Sequence, residues 1–202
     1  MLRNFLGISF VRLEKLCNEE LMKRAIEDDT RAFEVLYKRH RSAVMSYMGN
    51  MVFDKTVVEE LAQEAFFKLY RHRSQYHTDK IFMPWLWTIA RNTTLDYLRK
   101  KKDLLLEDIS SKADDRDPIS LIEDMALGPE EKLLKLADRE RVVALLNKLP
   151  DAQKEILSLA AFSELSYEEV SDVTGKSISS VKSLLFRARK KFTEELIKED
   201  EE

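Results

Sequence analysis

The 202-residue chain holds one cysteine, four glycines, four prolines and three histidines. Each scarcity closes off a class of function. A lone thiol, Cys17, cannot form an internal disulfide, so the chain suits a reducing compartment and the cytoplasm is the expected location. His40, His72 and His77 are too scattered to suggest a metal centre, and no Cys-X-X-Cys, His-Glu-X-X-His or glycine-rich phosphate loop occurs. No metal, no cofactor and no catalytic chemistry is expected; the chain does not read as an enzyme. No apolar run approaches the roughly 20 residues that cross a bilayer. The N-terminal MLRNFLGISFV is broken by Arg12 and no small-residue cleavage pattern follows it, so a soluble protein without membrane insertion is expected.

What is abundant points to helices. Charged residues make up 35% of the chain and hydrophobic ones 44%, a globular balance with a highly charged surface. Leu, Glu, Lys, Arg and Ala dominate long stretches in which β-branched runs are rare, which predicts an all-α fold. The formal net charge of -3 argues against a simple nucleic-acid binder, but the charges are segregated. Between Asp103 and Glu131 ten acids face only Lys112 and Arg116. This stretch also contains two prolines and has linker composition, with Leu104 to Leu106 or Ile119 to Ile122 as patches able to dock.

The chain therefore divides into two small helical domains joined by an acidic linker. Residues 1–18 form an extension, with Met22 as an alternative start; 19–103 form the first block, 104–130 the linker and 131–197 the second block. In the first block Asp28, Asp29 and Thr30 mark a break and cap. Asp54 caps a stretch with the ridge Val57, Leu61, Ala65 and Leu69, and Pro84 leads in another helix after the polar loop from His72. In the second block a helical stretch stops at Pro150, and Asp151 opens the next.

The most informative segment is LSYEEVSDVTGKSISSVKSLLFRARKKF, from Leu165 to Phe192. Ser166 and Glu169 have the spacing of a capping box, Gly175 suits the left-handed end of a helix, and Ser177 offers a hydroxyl to the amides of the next helix. Two helices joined by a short turn make a helix-turn-helix. At about 100° per residue, Val181, Leu184, Leu185, Ala188 and Phe192 share the packing face of the second helix. Ser179, Lys182, Ser183, Phe186, Arg187 and Lys190 share the other. Six cations and no carboxylate lie between Thr174 and Thr193. A helix start free of acids is an anion site and favours phosphate.

This tail from Leu149, with LAQEAFFKLY from Leu61 and PWLWTIARNTTLDYLRKKK from Pro84 ahead of it, closely resembles the extracytoplasmic-function (ECF) sigma factors of bacteria. The resemblance runs from about Leu21 to Leu196 and leaves residues 1–18 outside. It implies a promoter-specificity subunit of RNA polymerase. The first domain, sigma region 2, would bind the polymerase core and open the minus-ten element; the second, sigma region 4, would read the minus-thirty-five element. A free monomer is expected, with core RNA polymerase, promoter DNA and an anti-sigma factor as partners.

Site residues follow from the matching positions. On the helix from Pro84, Leu86, Ile89, Ala90, Thr93 and Tyr97 form a core stripe, Trp85 is expected in the core, and Trp87, Arg91, Leu98 and Lys102 share another side. Trp87 is either core or a platform for an unstacked base beside the cations Arg91 and Lys102, a combination that stabilises melted strands. In the loop before it, the resemblance makes Arg73, Gln75, Tyr76 and His77 candidates for holding a flipped base. Glu59, Glu60, Gln63, Glu64 and Phe67 match the family's core-binding pattern, with Val57 and Val58 where the family often has Asp and Ala. In the recognition helix Leu184 replaces a frequent Arg. Base readout then rests on Ser179, Ser180, Lys182, Ser183 and Phe186, and Arg187, Arg189 and Lys190 hold phosphates. A repressor using the same helix-turn-helix would bind duplex DNA alone and have no use for the two upstream segments.

Overall fold

A computed structural model describes residues 13–107 and 141–200. The expectations for residues 1–12, for the linker from 108 to 130 and for the first part of the second block lie outside them. All regular structure among the described residues is helical, as the composition predicts.

Local signals set the helix boundaries. Helix α1 (Asn18–Ile26) starts at Cys17, whose amide donates to the Glu20 carboxylate at 3.3 Å. Asp29 caps α2 (Thr30–Val52) by accepting from the amides of Arg31 and Ala32, and Asp54 caps α3 (Lys55–Arg71) through Val57. Such caps contribute about 1 kcal/mol each. A short 3₁₀ turn (Arg73–Gln75) leads to α4 (Phe82–Glu107), where Pro84 lies in the first turn and its missing amide costs nothing. The Phe82 amide donates to Glu19 at 3.0 Å and pins the start of α4 to α1. A helical stretch over 141–147 precedes α5 (Asp151–Phe162), α6 (Tyr167–Thr174) and α7 (Ile178–Asp200).

Helices α1 to α4 pack as a bundle whose centre holds Leu21, Leu36, Tyr47, Met48, Leu86 and Trp87, all fully buried. Edge-to-face pairs Phe33–Tyr70 and Tyr37–Phe66, each with ring centres 4.9 Å apart, join α2 to α3. The second block does not stand apart. Helix α5 packs on α2 as well as on α7, and α6 packs on α4. Ile156, Leu159, Val170, Val173, Val181 and Leu185 belong to the same apolar cluster as the first bundle. In place of two small cores there is one continuous core, because the apolar stripe of α5 has a second neighbour that no local pattern reveals. Residues just before α1 also join it: Leu13 is buried, and Arg39 donates to the Glu14 and Leu16 carbonyls at 3.1 Å each.

Candidate nucleic-acid interface

The turn between α6 and α7 is built as its residues dictate. Ser166 accepts from the Glu169 amide at 3.2 Å, and the Glu169 carboxylate accepts from the Ser166 amide at 2.8 Å, completing the capping box. Gly175 ends α6 at φ 67°, the left-handed region in which only glycine is free of Cβ strain. Ser177 then accepts from the Ser180 amide at 3.3 Å at the start of α7. Val181, Leu185 and Ala188 are buried and Leu184 and Phe192 half-buried, which fixes the opposite side outward.

That outward side is open. Ser179, Lys182, Ser183, Phe186, Arg187, Arg189 and Lys190 are exposed and Ser180 is half-buried. Phe186 is 70% exposed, a large apolar ring that the described residues leave open on a face rich in cations. Arg187 donates to the Ser183 carbonyl at 3.3 Å, and Lys190 lies 3.7 Å from Glu194. Lys182 stands 5.4 Å above the ring of Tyr167, at the start of α6. Tyr167 was not among the sequence candidates; an aromatic in the first turn of the leading helix is the signal that marks it. Its ring holds the Lys182 ammonium over α7 by cation–π attraction.

The edge of α3 is also open. Glu60, Gln63, Glu64 and Phe67 are exposed, Glu59 is half-buried, and Phe67 shows 63% of its surface. Glu64 pairs with Lys68 at 2.7 Å. Val58 is fully buried and Val57 partly so; the two positions that depart from the family pattern serve packing.

The α4 candidates are treated differently. Trp87 is completely buried and meets Tyr47 edge to face at 5.5 Å, whereas Trp85, expected in the core, is only half-buried against Tyr76. Of the two readings open for Trp87 the structure takes the core, where the ring packs on α2, and the one correction falls on Trp85, whose ring lies beside Tyr76 and Phe82. One turn after Trp87, Arg91 donates from Nε to the Glu155 carboxylate of α5 at 2.5 Å, with side-chain exposures of 15% and 8%. Two further contacts join the blocks nearby: Asn50 donates to the Ser158 hydroxyl at 3.4 Å, and the Lys154 ammonium lies 4.8 Å from the Phe53 ring. Burial holds the Lys154 ammonium below the ordinary lysine range. Burial also drives the Tyr47 phenol far above its ordinary range, with the Glu155 charge adding to it. Tyr47 Oη and Trp87 Nε1 find no hydrogen-bond partner among the described residues, at a cost of about 1–3 kcal/mol each. Glu155, Asn50, Ser158 and Lys154 carried no signal in the sequence, since polar residues on a helix are ordinarily solvated.

The loop before α4 divides too. Gln75 and His77 are exposed. Arg73 is engaged throughout its guanidinium: Nε to the Ala25 carbonyl and one terminal nitrogen to the Tyr70 carbonyl, both at 3.1 Å, the other to Asp28 at 2.5 Å. It ties the loop to the α1–α2 turn. Tyr76 is buried, its hydroxyl donates to the Lys80 carbonyl, and burial with nearby Glu19 pushes its phenol up to about 12. Lys102 is exposed and Leu98 half-buried. Of the seven strand-opening candidates, Gln75, His77 and Lys102 lie on the surface in this arrangement.

Comparison with known proteins places this geometry. The profile Sigma-70 region 2 matches residues 36–103, and Sigma-70, region 4 matches residues 139–192. The ECF RNA polymerase sigma factor SigM of Bacillus subtilis (strain 168) is 33% identical over 158 residues, covering 77% of this chain and 90% of that protein. The ECF RNA polymerase sigma-E factor of Haemophilus influenzae is 29% identical over 183 residues, covering 87% and 93%. Among solved structures, the sigma factor RpoE in complex with the anti-sigma factor NepR from Bartonella quintana superposes with a TM-score of 0.67 at 22% identity, covering 81% of this chain and 96% of that one.

Proposed function

The chain belongs to the ECF family of RNA polymerase sigma factors and serves promoter-specific transcription initiation as an alternative sigma factor, and from that premise we propose how its surfaces divide the work. The open face of α7 reads the minus-thirty-five element. Ser179, Ser180, Lys182, Ser183 and Phe186 meet base edges, and Arg187, Arg189 and Lys190 hold phosphates, setting register without specifying sequence. The edge of α3, with Glu59, Glu60, Gln63, Glu64 and Phe67, engages the polymerase core, its acids steering toward a basic surface and Phe67 packing there. The α4 face, with Trp87, Arg91 and Lys102, and the loop carrying Arg73, Gln75, Tyr76 and His77 open the minus-ten element. Residues 19–103 and 131–197 are the two functional domains, 104–130 the linker and 1–18 an extension.

The observation that carries this reading is the outer face of α7, a capped and glycine-terminated unit whose exposed side chains are cations, hydroxyls and one phenyl, with no carboxylate from Thr174 to Thr193. Synthesis of RNA is the polymerase's chemistry; this chain contributes recognition and strand separation and has no catalysis of its own. The reading supports a cytoplasmic setting, and no described helix is long and apolar enough to cross a membrane. An anti-sigma factor is a proposed partner, supported by the RpoE structure, which contains one. Run-off transcription with purified bacterial core polymerase tests the whole: transcripts that start at a defined promoter and depend on this chain are expected. Duplex binding without such transcripts is the result of a repressor and would overturn it.

A further inference from the structure

We propose that Ile81 is the wedge with which this chain parts a base step of the minus-ten duplex. The inference deepens the proposed function and rests on its assignment of the loop before α4 to strand opening; it adds the side chain that starts the separation. Stacked bases have to be pushed apart before any pocket holds one of them, and proteins that do so drive an apolar side chain between neighbouring bases. A polar side chain entering such a step gives up hydrogen bonds to water, so the candidates are the exposed apolar residues of the loop. From His72 to Ile81 there is one: Ile81 is 59% exposed, the other exposed residues are polar, and Tyr76 is buried.

A single exposed isoleucine is ordinary on a protein surface. This one differs in how firmly it is held. Arg73 fixes the start of the loop through the Ala25 and Tyr70 carbonyls and Asp28. A turn then closes with the Lys80 amide donating to the His77 carbonyl at 2.9 Å. The peptide group before Ile81 is engaged through its carbonyl, on Lys80, which accepts from the Tyr76 hydroxyl. The peptide group after it is engaged through its amide, on Phe82, which donates to Glu19 at 3.0 Å. The Phe82 ring is fully buried and borders His40, Tyr76 and Trp85. Ile81 is thus the one apolar side chain turned outward between two anchored peptide groups. Its branched Cβ restricts χ1, so a stiff side chain stands on a fixed backbone and has little freedom left to lose on insertion. Lys80, exposed beside it, supplies a cation for the phosphate flanking the opened step.

The full-length chain with bacterial core polymerase provides the test, on a promoter that supports run-off transcription and carries 2-aminopurine in its minus-ten element. This base brightens when it unstacks. Ile81→Ala is expected to slow the rise about tenfold, the scale on which burial of an isoleucine's outer methyl groups contributes. Ile81→Leu, which keeps the apolar volume, is expected to retain most of the native rate. On the same promoter with its minus-ten bases mismatched, so that the step is already open, Ile81→Ala is expected to match the native chain. Ile81 faces solvent rather than core, so the truncation leaves Tm unchanged and a slowed rise is not a folding defect. Equal opening rates for the native chain and Ile81→Ala on the duplex refute the wedge alone and leave the proposed function standing. An equal deficit on the duplex and on the mismatched promoter makes Ile81 a strand-holding contact and overturns the wedge too. A native chain that opens no promoter refutes the proposed function, and the inference with it.

Discussion

The outer face of α7 and the covered face of α4 are made of the same materials, an aromatic ring among cations, and the fold treats them oppositely. Phe186 is 70% exposed and Trp87 is completely buried; Lys182 reaches over an exposed tyrosine and Arg91 is held by a buried carboxylate. The difference teaches that an aromatic and cationic face on a helix is a capacity, not a state. Whether it is available depends on what the rest of the chain lays against it. Helix α7 packs by its other side on α5 and α6 and keeps its outer face clear of the described residues, whereas α4 is central and meets α1, α2, α3 and α6.

The sharpest way to break this comparison is to truncate the two rings. Trp87→Ala should cost about 3–5 kcal/mol of stability, as expected for an aromatic removed from a packed core. Phe186→Ala should move stability by no more than about 0.5 kcal/mol and act on promoter binding instead. Denaturant titration of both variants, beside binding to a minus-thirty-five duplex, checks the pair; equal stability losses would erase the distinction.

Acid should loosen the covered side next. Burial, with Arg39 adjacent, pushes the His40 imidazole from its ordinary 6.5 down to about 4. It stays neutral and donates from Nε2 to Asn18, 3.1 Å away, and it borders the same inter-block cavity as Glu19 and Glu164. Between pH 6.5 and about 4 the unfolded chain takes up a proton that the folded chain refuses. Stability from this group is therefore complete above pH 6.5 and falls as the pH drops, by up to about 3 kcal/mol. Thermal unfolding followed from pH 7.5 to 5 should show this loss in the native chain and a smaller one in His40→Gln.

On the open face, Lys182→Ala should remove discrimination of about 1–3 kcal/mol at matched promoters and change promoter choice. Lys190→Ala should weaken binding at every promoter alike and reduce the salt slope by about one. Equal losses on matched and mismatched duplexes for Lys182→Ala would move it to the phosphate-holding group. The smallest effect is expected at the turn. A Cβ on Gly175 meets nothing within 4 Å, so Gly175→Ala carries only the strain of a positive φ, about 1–2 kcal/mol, read as a few degrees in Tm.

Much of the recognition unit is legible along the chain. The Ser166–Glu169 box, the Gly175 turn, the Asp29 and Asp54 caps and the stripe Val181, Leu185 and Ala188 all stand in the structure at the positions the spacing marks. These signals act between residues two to four apart, where helical geometry alone fixes the partner. The exposed α3 edge is readable for the same reason. The α4 face was legible only as a set of residues sharing one side. Trp87, open between core and surface on the helix wheel, proves buried against Tyr47, and Trp85, expected in the core, is half-buried, because burial along that helix depends on which neighbours pack around it.

The sequence by itself determined that this chain is all helix, where most helices begin and end, and that one basic helix presents a carboxylate-free face. Tertiary structure alone decided that the two blocks share one core and that Arg91 spends its charge on Glu155, 64 residues away. Caps and stripes are written in local spacing, but a pairing across such a separation depends on which helix faces pack in space, and no periodicity in the chain records that choice.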